Sequence, residues 1–327
     1  MGARVPHDYA EISPRRARTL LHLEEGLSRR IVGKSEAIEK IARVIRIRQS
    51  QLKFRAERPD GSFLLLGPPG VGKNEIAHSL AQVLYGDDTA VVSVDLGEID
   101  DEEDLAKLAV TTIPGAEGHY MEGLLTSPIR ENPEAVVLLR GLERAHPAFQ
   151  RLLLQILDRG RIEDMLGVVD FSKSVIFVTM HLTREDLAPG EIGFGRPSRS
   201  VEQQRRVQLE RYVSADLLDA FNEVIELPPL TAPEVREIAR YKVHQVLARM
   251  QRRRKEIRIA DAVYDELIPE NSCVGGSAKF LNRTLEERLF NPLSRYLLSH
   301  RGSQDIDVRV QRGQIVIRGA GALADDD

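Results

Sequence analysis

The sequence predicts an α/β fold, a five-stranded parallel sheet with helices on both faces, followed by a smaller α+β domain. Three observations carry that expectation. Four short apolar-rich runs, Phe63–Leu66, Val91–Leu96, Val136–Leu139 and Val175–Thr179, have the length and character of strands buried inside a parallel sheet. Amphipathic stretches separate them, as repeated βα units require. A fifth run, Val224–Leu227, stops at Pro228-Pro229, and two prolines end an element and mark a domain boundary.

Taken in order, residues 1–19 read as an N-terminal extension. Residues 17–57 are helix-rich, with Leu20, Leu23, Leu27 and Ile31, then Ile38, Ile41, Val44 and Ile45, at helical spacing. The large domain is expected over 20–229. Helices are expected at 232–257, 260–268 and 277–299 of a small domain covering 230–318. That domain closes with two alternating strands, Ile306–Val310 and Gln314–Arg318. An Ala/Asp-rich stretch at 319–327 is expected to be disordered.

Composition excludes several function classes. Forty-six basic residues face fifty acidic ones, so no global charge draws the chain to nucleic acid or a membrane. The run Arg252-Arg253-Arg254-Lys255 ends a predicted helix, where cations complement the dipole without a ligand. A single cysteine, Cys273, forbids an internal disulfide and points to a reducing compartment. The first fourteen residues lack the apolar segment of a signal peptide, and no apolar run approaches the roughly 20 residues needed to span a bilayer. A cytoplasmic protein is expected.

The densest chemical signal follows the first strand, where Gly67-Pro68-Pro69-Gly70-Val71-Gly72-Lys73-Asn74 leads into a helical pattern. Glycines let backbone amides turn toward a phosphate, the helix start adds positive potential, and a lysine here reaches the β and γ phosphates of a nucleotide. ATP or ADP is the expected ligand. The usual motif ends in Ser or Thr, whose hydroxyl binds Mg²⁺. Here Asn74 offers an amide oxygen, a weaker metal ligand, so Mg²⁺ binding is expected to be weakened or absent.

The surrounding segments resemble the C-terminal ATPase ring of the Clp/ClpB/ClpC-type AAA+ unfoldases. The resemblance rests on Ile31-Val32-Gly33-Lys34, the phosphate loop, Val136–Leu139 followed by Glu143-Arg144-Ala145-His146-Pro147, Leu153–Arg161 and Asn291-Pro292-Leu293. It covers about residues 20–318. It implies an AAA+ large domain and a small Clp-type domain, an adenine pocket lined by Ile31 and Val32 and, for the family, a hexameric ring; with Ala220 weakening the link between subunits, a monomer or a non-ring dimer is the alternative. Ile31 and Val32 read equally well as ordinary core residues.

Several positions depart from that family. Where it places Asp-Glu after the third strand, this chain has Arg140-Gly141. One unit charge pair about 4 Å apart is worth roughly 4 kcal/mol at an effective dielectric of about 20, so reversing the sign there is severe. Arg140 either neutralises phosphate charge directly or is a solvated side chain. Glu143 reads as a poor substitute, since the geometry of a strand end does not carry over two residues. The first sensor, an asparagine in the family, maps to His181, the arginine finger to Ala220, and the second sensor to Lys279. The aromatic pore step maps to Gly115-Ala116-Glu117-Gly118, with Tyr120 nearby. Ile192-Gly193-Phe194 resembles the tripeptide by which such unfoldases dock on ClpP-type peptidases; it reads otherwise as a loop tucked on its own domain.

Together these departures remove metal, acid, finger and pore grip while the loop glycines and Lys73 remain. The expectation is a hydrolysis-deficient nucleotide-binding module in a protein assembly, with other subunits, an active AAA+ protein or a ClpP-type peptidase as partner. The rivals are an active ATP-dependent unfoldase with unusual residues and a peptidase-docking adaptor.

Overall fold

The computed structural model describes residues 12–87, 90–99, 101–112, 120–182, 201–251, 256–269, 278–300 and 305–319. The chain forms two compact units, the larger running to Leu227 without Pro69–Val71 and the smaller taking Pro69–Val71 and the chain from Pro228.

Three helices open the larger unit: α1 (Pro14–Leu21), α2 (Leu23–Ser28) and α3 (Ser35–Gln49). Ser13 caps α1, its hydroxyl accepting from the Arg16 N–H at 3.2 Å, and Pro14 occupies the first helical position, which needs no amide donor. Helix α1 therefore begins inside the stretch read from sequence as an extension. It is tied down by Arg16, which donates to Gln49 Oε1 (3.1 Å) and the Leu84 carbonyl (2.8 Å) and lies over the Tyr85 ring.

The sheet follows. Strands β1 (Gly61–Leu66) and β2 (Val91–Asp95) flank α4 (Lys73–Tyr85). After α5 (Glu102–Ala106), a two-residue pair β3 (Thr111–Thr112) and β4 (Tyr120–Met121), and α6 (Thr126–Glu131) comes β5 (Val136–Arg140). Helix α7 (Pro147–Arg159) leads into the hairpin β6 (Arg161–Asp164) and β7 (Gly167–Asp170), then β8 (Val175–Met180). Helices α8 (Val201–Leu209) and α9 (Ala215–Ala220) precede β9 (Glu223–Glu226). The order β2-β5-β8-β1-β9 is parallel throughout, in register Leu64↔Val178 and Val137↔Ile176, so the predicted five-stranded parallel sheet is present.

Both faces are dry. Alternation along each strand sends Leu64, Val137, Leu139, Ile176 and Val178 into one layer with Phe149, Leu153 and Ile156 of α7 and Leu217 of α9. On the opposite face α3 and α4 pack against the sheet, where Phe63 and Phe177 stack with centroids 5.0 Å apart. The hairpin β6–β7, which was not foreseen, is pinned by Asp164: its carboxylate takes Arg130 Nη2, at 2.5 Å, and the Leu166 N–H.

The smaller unit contains α10 (Ala232–Gln251), β10 (Glu256–Ile259), α11 (Asp261–Leu267), α12 (Ala278–Leu285), a π-helical turn (Glu286–Phe290), α13 (Asn291–Ser299), and strands β11 (Asp305–Gln311) and β12 (Gln314–Gly319). Strand β10 corrects the helix expected through 257. Glu256-Ile257-Arg258-Ile259 alternates with period two, Ile257 inward, and pairs parallel to β11, which pairs antiparallel to β12. The core joins Val243, Val263, Leu285, Leu289 and Val308. The basic run 252–255, Cys273, the pore step 115–118, the docking tripeptide 192–194 and the stretch 320–327 lie outside the described residues. Among the described residues no helix is long and apolar enough to cross a membrane.

Candidate functional site

In an open parallel sheet the strands' carboxyl ends form the crevice where ligands sit. Here β5, β8 and β1 lie side by side, and the segments leaving them carry Arg140 to Arg144, His181 and the phosphate loop.

The loop takes its shape from glycine. Gly67, Gly70 and Gly72 have φ of 147°, 81° and 102°, conformations closed to most L-residues. A Cβ on Gly72 would meet nothing within 4 Å, so open space lies directly over the start of α4. Gly72 caps that helix without any side-chain hydrogen bond, leaving first-turn amides for a ligand. Lys73 is buried, its ammonium donating to the carbonyls of Gly67 (2.5 Å) and Pro68 (2.9 Å). Burial pushes it down to about 8, and the Glu143 carboxylate opposes that shift. These features fit a nucleotide phosphate. Asn74, at the second position of the helix, is exposed.

Arg140 is partly exposed and pairs with a carboxylate of the neighbouring strand. Its Nη2 lies 3.5 Å from Oδ2 of Asp95, its register partner on β2. Arg144 Nη2 reaches the other oxygen, Oδ1, at 3.0 Å. One carboxylate thus holds two guanidiniums. The Arg140 Nε is buried with no hydrogen-bond partner among the described residues, so Asp95 satisfies that side chain only in part.

Glu143 leaves the strand end by a tight turn. Gly141 adopts φ 81°, and its N–H donates to the Thr179 carbonyl of β8 at 3.0 Å. The chain then winds through a 3₁₀ turn, Leu142–Arg144, with Arg144 N–H donating to the Gly141 carbonyl. This tight reversal brings Glu143 back over the end of β8. Its Oε2 accepts from the His181 N–H at 3.2 Å, and its Oε1 lies 3.8 Å from Arg144 Nε. At 16% side-chain exposure it is largely desolvated. The signal that could have shown this is the glycine itself, which in a strand-to-helix connection licenses a left-handed turn.

His181 sits at the end of β8 with its ring lowered in pKa by burial and then by the Lys73 charge, Glu143 opposing, so it is neutral at pH 7. Lys73, Glu143, Arg144, Asp95 and His181 therefore share one electrostatic field. Among the described residues no group of three His, Cys, Asp or Glu side chains could hold a metal ion. The nearby carboxylates are engaged, Asp95 by two arginines and Glu143 by a backbone amide, so the fit to a divalent cation is poor.

The remaining expected residues are more scattered. Ile31 and Val32 lie between α2 and α3; Ile31 is buried and its N–H donates to the Leu27 carbonyl at 2.9 Å. Ala220 ends α9, 4% exposed within the core layer. Lys279 lies in the first turn of α12, its side chain outside the described residues.

Residues 58–224 match the family described as AAA domain (Cdc48 subfamily). The chain is 31% identical over 306 residues to a probable ATP-dependent Clp protease ATP-binding subunit of Chlamydia pneumoniae, covering 90% of this chain and 36% of that protein. It is 35% identical over 301 residues to chaperone protein ClpB 2 of Parasynechococcus marenigrum, covering 90% and 33% respectively. The fold matches the closed-state cryo-EM reconstruction of Hsp104 with ATPyS and FITC casein at a TM-score of 0.80 and 24% identity, over 94% of this chain and 53% of that one. The chain spans about a third of the length of these curated relatives. With the five-stranded sheet and the glycine loop at its carboxyl end, these matches place the chain in a family: it belongs to the AAA domains of the Cdc48 subfamily, in a Clp-like form.

Proposed function

We propose that this chain is a nucleotide-binding module with impaired hydrolysis that serves as a binding, assembly or regulatory component of a larger protein complex. The observation that carries the reading is the Arg140–Asp95 pair: a cation stands at the carboxyl end of β5, already matched to its own carboxylate. Binding falls to the loop. Lys73 exchanges the carbonyls of Gly67 and Pro68 for phosphate oxygens, while the first-turn amides of α4 receive the rest of the charge. A divalent cation, where present, would neutralise phosphate charge, with Asn74 the nearest family-position ligand.

Hydrolysis also draws on a guanidinium supplied by a neighbouring subunit, worth about 10³ to 10⁵ in rate. Ala220, buried and apolar, presents none. Glu143 supports one second reading, an ATP-dependent unfoldase in which that carboxylate orients the attacking water. Partners are other protein subunits, an active AAA+ protein or a ClpP-type peptidase. Docking on the last through Ile192-Gly193-Phe194 rests on sequence alone.

The test is an equilibrium titration with ATP and ADP, with and without Mg²⁺, followed by assay of the recovered nucleotide. Binding with ATP recovered intact supports the proposal. Turnover near that of an active Clp ring, lost in Lys73→Ala, sinks it in favour of the unfoldase. Absence of binding would remove the nucleotide from the function altogether.

A further inference from the structure

Two glycines make a seat for one guanidinium at the carboxyl ends of β2 and β5. A Cβ on Gly97 would collide with Arg144 Nη1, and one on Gly141 would stand 2.6 Å from Arg144 Nη2. Gly141 needs glycine for its φ of 81° as well, but Gly97 has no positive φ, so the guanidinium accounts for the missing side chain there. The Gly97 N–H donates to Asp95 Oδ1 at 3.1 Å, the oxygen that also takes Arg144 Nη2 at 3.0 Å, while Oδ2 lies 3.5 Å from Arg140 Nη2. Asp95 is thus engaged on both oxygens, and two guanidiniums carry far more N–H donors than one carboxylate accepts. Glu143 does not take up the rest. Its Oε1 lies 3.8 Å from Arg144 Nε, beyond hydrogen-bond reach, and its Oε2 accepts the His181 N–H. The Arg140 Nε is buried with no partner among the described residues. The two side chains are 39% and 54% exposed, so a ligand can reach them from solvent.

We propose that Arg140 and Arg144 form a binding site for a phosphate-sized oxyanion, held between the two guanidiniums that share Asp95. The planar fork of a guanidinium matches two oxygens of a phosphate, and the donors left over by Asp95 are the ones such an anion uses. Arg144 is already ordered by its glycine seat and by Asp95, so it gives up little conformational freedom on binding. Glu143 opposes an incoming anion, which keeps the affinity weak. Free orthophosphate and the terminal phosphate of a nucleotide offer the same chemistry, and the site does not depend on nucleotide binding by the loop.

The experiment follows the Nε–Hε NMR cross-peaks of Arg140 and Arg144 in the full chain while orthophosphate replaces chloride at constant ionic strength. Saturable shifts of both are expected, with half-saturation on the order of 1–10 mM. Arg140→Gln should weaken the Arg144 response at least about fivefold, and Arg140→Lys, which keeps the charge and loses the fork, should weaken it less. Lys73→Ala should leave the response in place. A wild type without a saturable shift overturns the inference, whatever the variants do. An Arg144 response unchanged in folded Arg140→Gln protein also overturns it, leaving an adventitious ion on one arginine. A response abolished by Lys73→Ala would put the phosphate in the loop, overturning the inference while nucleotide binding stands. Repeating the titration with ADP and then ATP bound distinguishes the sources. Loss of the orthophosphate response with ATP but not ADP upholds the site and makes the terminal phosphate its ligand. A response kept with both upholds it as a site for a free oxyanion. Loss with ADP as well means that the inner phosphates cover the arginines, and no separate site exists.

Discussion

Substituting Gly141 tests the turn that builds the site. An L-residue held at φ 81° carries about 1–2 kcal/mol of steric strain. A Cβ there would also stand 2.6 Å from Arg144 Nη2. The Arg144 guanidinium is the far end of a half-exposed side chain and can move aside. Doing so gives up its 3.0 Å contact with Asp95, an exposed pair worth at most about 1 kcal/mol. Gly141→Ala is therefore expected to lose about 1–3 kcal/mol in the larger unit, or about 2–12 °C in Tm for a unit of some 200 residues. Gly141→Glu, which restores the acid of the family pattern, should lose as much, because the penalty lies in the Cβ. Gly141→Asn should lose less, since asparagine tolerates the left-handed region. Urea and thermal unfolding of the three variants measure this. An alanine variant within 0.5 kcal/mol of wild type would refute the reasoning, showing that the turn is not held in that conformation.

Three further outcomes are expected. Lys73 in the ligand-free protein loses its proton near pH 8, and a bound phosphate holds that proton more tightly. Nucleotide affinity should thus be flat below pH 8 and fall by up to tenfold per unit above it; a titration showing affinity that rises through that window would contradict this role of the ammonium. Gly160 and Gly86 both have positive φ, but a Cβ on Gly160 would collide with the Glu57 carbonyl, whereas one on Gly86 meets open space. Gly86→Ala should cost about 1 kcal/mol and Gly160→Ala more than about 3 kcal/mol or all folded protein, as read by chemical denaturation. Arg16→Ala removes two hydrogen bonds and a ring contact and should cost about 1–3 kcal/mol in urea unfolding; a loss under 0.5 kcal/mol would mean that α1 does not anchor the chain.

The sheet was legible because it is buried on both faces. Continuous apolar runs such as Phe63–Leu66 and Val175–Thr179 have no other stable location, and the observed strands extend them by only one or two residues. The phosphate loop was legible because its glycines and lysine act through the backbone, next to one another in sequence. Strand β10 was not, since a four-residue alternation beside a twenty-residue helix is masked by the helical period. The partnership of Arg140 was not legible either: Asp95 is 45 positions away, and only the parallel pairing of β2 with β5 brings the two side by side. The contact of Glu143 with the His181 N–H was not legible either, because spacing measured from a strand end assumes the strand's direction continues, and the left-handed Gly141 reverses it.

The position of β1 in the sheet has a consequence for how the molecule is made. This strand, which launches the phosphate loop, lies between β8 and β9, pairing Phe63 with Phe177 and with Glu223. Its neighbours in space are thus synthesised more than a hundred residues after it. A ribosome-bound chain that has not yet released β9 carries β1 with an unpaired edge, a template for association with other chains. Such long-range closure also slows folding, since the intervening loop must be ordered before any ladder bond rewards it. Chaperone dependence during synthesis should therefore persist until about residue 227 has emerged, and truncations inside the large unit should aggregate, not fold to smaller stable pieces.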